Sequence, residues 1–174
     1  ADEGIMESCA GELLRYRKMI NADNILVFTD IKKKHSSHAI TADVDICETA
    51  KAAEFFLSDG LIITGSSTGA EAKTDEIENV KNKVKIPVLV GSGVTLNNLE
   101  AYLKISDGMI VGSYFKKNGY WADELDYNRV ANFMEKVKIV PALIPGRMKD
   151  KVVIITGASS GIGRALAFAY ARES

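Results

Sequence analysis

Two rhythms of apolar residues alternate along the chain from Gly11 to Lys136. Short runs that are apolar throughout predict strands at 24–31 (NILVFTDI), 60–64 (GLIIT), 87–90 (PVLV) and 108–111 (GMIV). Between them, apolar positions near helical spacing predict helices at 11–20, 45–57, 74–84, 95–105 and 123–137. The 45–57 helix opens with an acidic turn, Thr95 is placed to cap the 95–105 helix, and Pro87 stands where a strand tolerates it. Tyr120 and Trp121 are expected to pack on the last helix.

Strands without polar alternation are those that helices cover in a parallel sheet. Four strand–helix units in a row predict an α/β protein. From Lys138 to Asp150 the pattern breaks at Pro141, Pro145 and Gly146, which predicts a linker over 138–150. A fresh β-branched run begins at Lys151.

Composition bounds the rest. Of 174 residues, 47% are hydrophobic, enough for a core. Twenty-two basic residues against 23 acidic ones give a net charge of −1, so bulk electrostatics favour neither nucleic acid nor an anionic membrane. Cys9 and Cys47 suggest neither a disulfide framework nor a metal motif, and an intracellular, cytoplasmic setting is expected. His35 and His38, three apart, are weak ground for a metal site, and none is expected. No run is long and apolar enough to suggest a membrane span, and the first residues lack a signal-peptide pattern. Without an initiator Met, and with a helix starting at once, the chain is expected to begin inside a longer protein.

The loops after the strands carry the chemistry. Gly91, Ser92 and Gly93 follow the third strand, and Gly112 and Ser113 the fourth. Glycine lets backbone N–H groups approach an anion, and a following helix start adds its dipole. Two such loops in consecutive units match the phosphate site after strands seven and eight of a (β/α)₈ barrel. The alternative is that these glycines only permit tight turns. After the first strand, Asp30, Lys32, Lys34, His35 and His38 cluster where barrels keep catalytic groups. An Asp30–Lys32 pair would orient a substrate or move a proton, and His35 would titrate near neutrality; a solvated loop is the competing reading. Asp59, Thr64, Gly65, Ser66 and Thr68 offer ligand donors or simply a polar turn, with the balance even.

In residues 151–174 the run KVVIIT leads into Thr156, Gly157, Gly161 and Gly163 with Thr-Gly-x-x-x-Gly-x-Gly spacing, followed by a helical stretch. Strand, glycine turn and helix start make the phosphate-binding corner of a dinucleotide fold.

The segments NILVFTDIKKKHSSH, DGLIITGSSTG, IPVLVGSGVTLNNLEAYL and DGMIVGSYFKKNG, in that order, resemble the C-terminal half of the BtpA family of (β/α)₈ barrels. The resemblance covers about residues 5–137. It implies half of a TIM-type barrel, four parallel βα units without the first four strands, and it matches Lys32, His35, Gly65, Gly91, Gly93 and Gly112 to family-type positions. It implies a phosphorylated small molecule as ligand in the intact form, with no cofactor, or else a role in assembly, since family members are linked to photosystem I biogenesis. Residues 151–174 resemble the first, truncated Rossmann βα unit of a short-chain dehydrogenase/reductase. There Thr156, Gly157, Ser159, Ser160, Gly161, Ile162 and Gly163 would cradle NAD or NADP. No Tyr is followed four residues later by Lys anywhere in the 174 residues, so a complete oxidoreductase of that type is excluded.

Half a barrel leaves two sheet edges and an apolar inner face open, so self-association or poor solubility is expected unless a partner supplies the other half. Gly93→Val is expected to abolish phosphate-ester binding by crowding the anion while leaving the helices intact. One strand and one helix cannot enclose a dinucleotide, so NAD and NADP affinity is expected to be absent.

Overall fold

A computed structural model describes residues 7–142 except Lys33 and Ser36, with side chains as far as Lys138. Strands β1 (Phe28–Asp30), β2 (Gly60–Ile63), β3 (Val88–Val90) and β4 (Gly108–Met109) form one parallel sheet in chain order. The fold is therefore α/β with four parallel strands. Every strand is shorter than its apolar run. Before β1, the Ile25 N–H closes a turn onto Ala22 O, so pairing starts only at Phe28. The dehydrogenase-like residues, Thr156 to Gly163 among them, lie outside the described residues, as does most of the expected linker.

Five helices connect or flank the strands: α1 (Ala10–Met19), α2 (Ile46–Phe55), α3 (Thr74–Lys81), α4 (Leu99–Ile105) and α5 (Tyr127–Ala142). Asp45 caps α2 by accepting the Glu48 N–H at 2.8 Å. Thr95 does not cap α4. Its own N–H donates to Asn98 Oδ1 at 2.8 Å, and this turn delays the helix to Leu99. α5 also starts late, because 123–126 runs beside the chain after β4: Leu125 bridges Lys116, and the Asp126 N–H donates to Phe115 O. Asp126 Oδ1 then accepts the N–H groups of Asn128 and Arg129. At its other end α5 continues to Ala142, into the segment expected to be a linker. Buried Phe133 and Val137 anchor it, with Phe133 edge-on to Phe115 at 5.1 Å.

The register sorts side chains onto two faces. Leu61 pairs with Val88 and Ile63 with Val90, so these four share a face. They are fully buried with Ala50, Ile77, Val80, Leu99 and Tyr102 from the helices. Burying each large aliphatic side chain contributes about 1.5–3 kcal/mol, which makes this layer the principal source of stability.

The opposite face carries Phe28, Asp30, Gly60, Ile62, Leu89, Gly91 and Gly108. It is less bare than expected. A Cβ at Gly60 would stand inside the Phe28 ring, one at Gly91 would overlap Ile62, and one at Gly108 would touch Leu89 at 3.5 Å. Large side chains thus lean into the space left by glycines on the next strand, and Leu89 is only 5% exposed.

Ser-Asp-Gly occurs twice, at 58–60 and 106–108, and does the same work each time. The Asp59 N–H donates to Val27 O at 2.9 Å while Asp59 Oδ2 accepts the Val27 N–H at 2.7 Å. The Asp107 N–H donates to Val88 O at 2.9 Å while its Oδ2 accepts the Val88 N–H at 2.8 Å. A cation closes each clamp: Arg17 lies 2.6 Å from Asp59, and Lys81 pairs with Asp107. Asp59 therefore sits at the far end of β2 from Thr64 and does not share the ligand loop expected for it.

Burial alone would raise the Asp59 pKa, but the Val27 N–H and the Arg17 guanidinium outweigh it and hold the carboxyl below its ordinary value. The unfolded chain then binds more protons at Asp59 than the folded one, so stability rises with pH through this window. The contribution is complete above the ordinary Asp value of about 4 and disappears as pH falls through the lowered folded value. Asp59→Asn is expected to cost about 1–2 kcal/mol at neutral pH, and urea unfolding at falling pH should show the gap from the parent closing.

Candidate functional site

All four strands run the same way, so the loops after them gather at one rim. Asp30 ends β1 and Thr64 follows β2, both toward the glycine-bearing face. Asp30 Oδ1 accepts the Lys32 N–H at 3.0 Å, and its Oδ2 lies 3.5 Å from the Thr64 hydroxyl. That hydroxyl also donates to Lys32 O at 3.1 Å. The Asp30–Lys32 side-chain pair expected from the sequence does not form. The chain turns sharply after Asp30, so the carboxylate takes the Lys32 backbone N–H, while Lys32 Nζ reaches Glu76 Oε1 in the first turn of α3 at 2.9 Å.

His35 joins two loops. Its backbone has φ +53°, a left-handed conformation in which side chains other than glycine are strained. Its N–H donates to Ser66 O at 3.4 Å, and its Nε2 accepts the Thr68 N–H at 3.3 Å with Thr68 Oγ1 at 3.2 Å. The imidazole is exposed at the rim.

The glycine loops follow neighbouring strands, as β3 pairs with β4 and the Ile110 N–H donates to Val90 O. Their interiors differ. Buried Ser92 accepts the Gly65 N–H at 2.7 Å and donates to Ala70 O at 2.9 Å, which fastens the β2–α3 loop to the β3–α4 loop. Gly93 has φ +68°, and a Cβ there would overlap Glu71 Cα and stand 2.5 Å from Ala70 O. A Cβ at Gly65 would overlap Ala70 O as well. Asn98, which the sequence reading missed, adds hydrogen bonds to Gly93 O at 2.8 Å and Glu71 Oε1 at 2.9 Å, and Tyr102 OH donates to Ala72 O at 2.8 Å. At Gly65 and Gly93 the glycines admit a neighbouring backbone. Around a Cβ at Gly112 there is open space. Ser113 opens a short 3-10 turn that ends at Phe115.

Tyr120 and Trp121 follow this turn. Both are exposed, with their rings 5.7 Å apart, and Arg129 of α5 lies over Tyr114, 4.6 Å from the ring centre. Among the described residues no group of three or more His, Cys, Asp or Glu is arranged to hold a metal ion, and no helix is long and apolar enough to cross a membrane.

The BtpA family model matches residues 1–139. A mitochondrial protein of Caenorhabditis elegans, itself uncharacterised, is 50% identical over 137 residues, which are 79% of this chain and 49% of that protein. An uncharacterised protein of Archaeoglobus fulgidus is 39% identical over 136 residues, 78% of this chain and 52% of its own. The photosystem I biogenesis protein BtpA of Synechocystis is 33% identical over 135 residues, 77% of this chain and 46% of its own. The chain thus spans about half the length of the curated relatives it matches. Among solved structures, a thiamine phosphate pyrophosphorylase from Pyrococcus furiosus superposes with a TM-score of 0.44 at 19% identity, covering 81% of this chain and 82% of that one.

The loop contacts predict an ordered series of stabilities, read by urea denaturation. Ser92→Ala leaves the Gly65 N–H buried without its acceptor and is expected to cost about 1–3 kcal/mol. Gly93→Ala adds backbone strain to overlap with Glu71 and should cost roughly 3 kcal/mol or more. Gly112→Ala enters open space and should stay within about 0.5 kcal/mol of the parent.

Proposed function

The chain belongs to the BtpA family, and from that premise we propose that it forms half of a (β/α)₈ barrel whose C-terminal rim holds the phosphate group of a small molecule. The observation that carries this reading is the placement of two glycine loops. Gly91, Ser92 and Gly93 follow β3, Gly112 and Ser113 follow β4, and the two strands are neighbours in a parallel sheet. Backbone N–H groups in such loops need no side chain to receive an anion, and in barrels the loops after the last two strands serve this purpose. The half-barrel reading draws support from the chain-order sheet and from the length of the relatives, about twice the matched segment.

Within this reading Asp30 is the proton-handling group nearest the ligand, and Thr64 orients it. Lys32 acts through its ion pair with Glu76, which holds the β1 turn against α3. His35 bounds the rim through Thr68. The site takes no metal and no organic cofactor. A second reading, a non-catalytic assembly factor, has the printed name of the Synechocystis relative in its favour. For residues 151–174 we keep the resemblance to a dehydrogenase start, with NAD or NADP bound only where the rest of that domain is present.

Gly112 gives a cleaner test than Gly93, since a side chain at Gly93 would strike the Glu71 backbone before any ligand. Glycerol 3-phosphate titrated into the isotope-labelled chain should shift the amide signals of Gly91, Ser92, Gly93, Gly112 and Ser113. Gly112→Val should weaken that binding at least about tenfold, near 1.4 kcal/mol, with an unchanged urea midpoint. A variant that binds as well as the parent, or shifts confined to other residues, would overturn the phosphate site. A specific ligand-free function with no shifts at all would favour the assembly reading.

A further inference from the structure

The rim uses its acidic side chains unevenly. Glu76 pairs with Lys32 Nζ at 2.9 Å, and Glu71 Oε1 accepts the Asn98 side-chain amide at 2.9 Å. Asp30 is placed differently. Its Oδ1 accepts the Lys32 N–H at 3.0 Å, which shapes the turn after β1. Among the described residues, the donor that reaches its Oδ2 is the Thr64 hydroxyl, at 3.5 Å, the limit of a hydrogen bond. A hydroxyl carries one hydrogen, and that of Thr64 has the shorter alternative of Lys32 O at 3.1 Å. Asp30 Oδ2 is thus left as an acceptor without a donor of its own, on a side chain that is half-buried.

Asp30 lies on the same sheet face as Gly91, and the parallel strands end at one rim. β1 stands two strands from β3 and three from β4. At about 4.8 Å per strand, Asp30 is roughly 10–14 Å from the loops that follow them. Hydrogen bonds of about 3 Å at either end leave roughly 4–8 Å for a ligand, the span of a short carbon chain. A phosphate held by the glycine loops therefore brings the other end of its molecule to Asp30. Charge sets what that end can carry. An ionised carboxyl accepts hydrogen bonds, donates none, and repels a second carboxylate. We propose that Asp30 determines specificity at the rim: it selects phosphorylated alcohols, whose far hydroxyl donates to Oδ2, over phosphorylated acids of the same length. This rests on the phosphate reading of the glycine loops and adds the chemistry of the ligand's other end.

Glycerol 3-phosphate and 3-phosphoglycerate share a carbon chain and differ at the far end, a hydroxyl in one and a carboxylate in the other. Both are titrated into the isotope-labelled 174-residue chain at one ionic strength. Both should shift the amide signals of Gly112 and Ser113, and glycerol 3-phosphate should bind at least about tenfold more tightly. Asp30→Asn keeps an oxygen for the Lys32 N–H and removes the charge. It should bring the two affinities within about threefold of each other, with unchanged far-ultraviolet circular dichroism. A residue that only held the loop would, when replaced, weaken both ligands alike and leave their ratio where it was. Equal affinities in the parent, or a ratio unmoved in Asp30→Asn, with the glycine-loop shifts intact, would overturn the selectivity and leave the phosphate site standing. Absence of those shifts with both ligands would overturn the phosphate site and the selectivity with it.

Discussion

The aspartate clamp at the start of alternate strands fixes the geometry on which the rest depends. A parallel strand pair has no hairpin to set its register, so something else must stop it slipping. Asp59 and Asp107 do this by exchanging two hydrogen bonds with Val27, just before β1, and with Val88, which opens β3, and Arg17 and Lys81 neutralise them from the helices. The glycine that follows each aspartate receives the large side chain opposite it, Phe28 over Gly60 and Leu89 beside Gly108. Register and side-chain fit are thereby set together. A slip by one residue would drive a Cβ into a ring and move Leu61, Ile63, Val88 and Val90 out of the core.

At the other end of the same strands, polar groups are spent mostly on holding the loops to one another. Ser92 spans Gly65 and Ala70, Asn98 spans Gly93 and Glu71, Glu76 holds Lys32, and Thr68 holds His35. A rim built this way holds its backbone groups in fixed positions. It also separates two roles that look alike in sequence. Gly93 is required by the neighbouring backbone, while Gly112 faces open space.

The helix-facing layer and the β1 edge differ in burial. The helix-facing layer is complete, with its aliphatic residues shielded from water. The edge at β1 is not, because α1 contributes no buried residue.

The sequence by itself determined the kinds of element, their order and the parallel layout, because apolar runs without alternation and intervening amphipathic stretches leave few other packings. It also placed Asp30, Gly65, Gly91, Gly93, Gly112 and Ser113 at strand ends. It did not show which partner each polar group takes. Thr95 yields its capping place to Asn98, Lys32 turns from Asp30 to Glu76, Asp59 lies at the opposite end of β2 from Thr64, and Tyr120 and Trp121 stay in water. α5 runs past the point where prolines suggested a linker. The Lys32–Glu76 pair and the aspartate clamps rest on contacts between residues about 20 to 45 positions apart in the chain, and local patterns carry no information about them. The repeated Ser-Asp-Gly was visible in the letters, yet only the register of neighbouring strands gave it meaning, since a carboxylate clamps a strand only when that strand's first N–H lies within hydrogen-bonding reach.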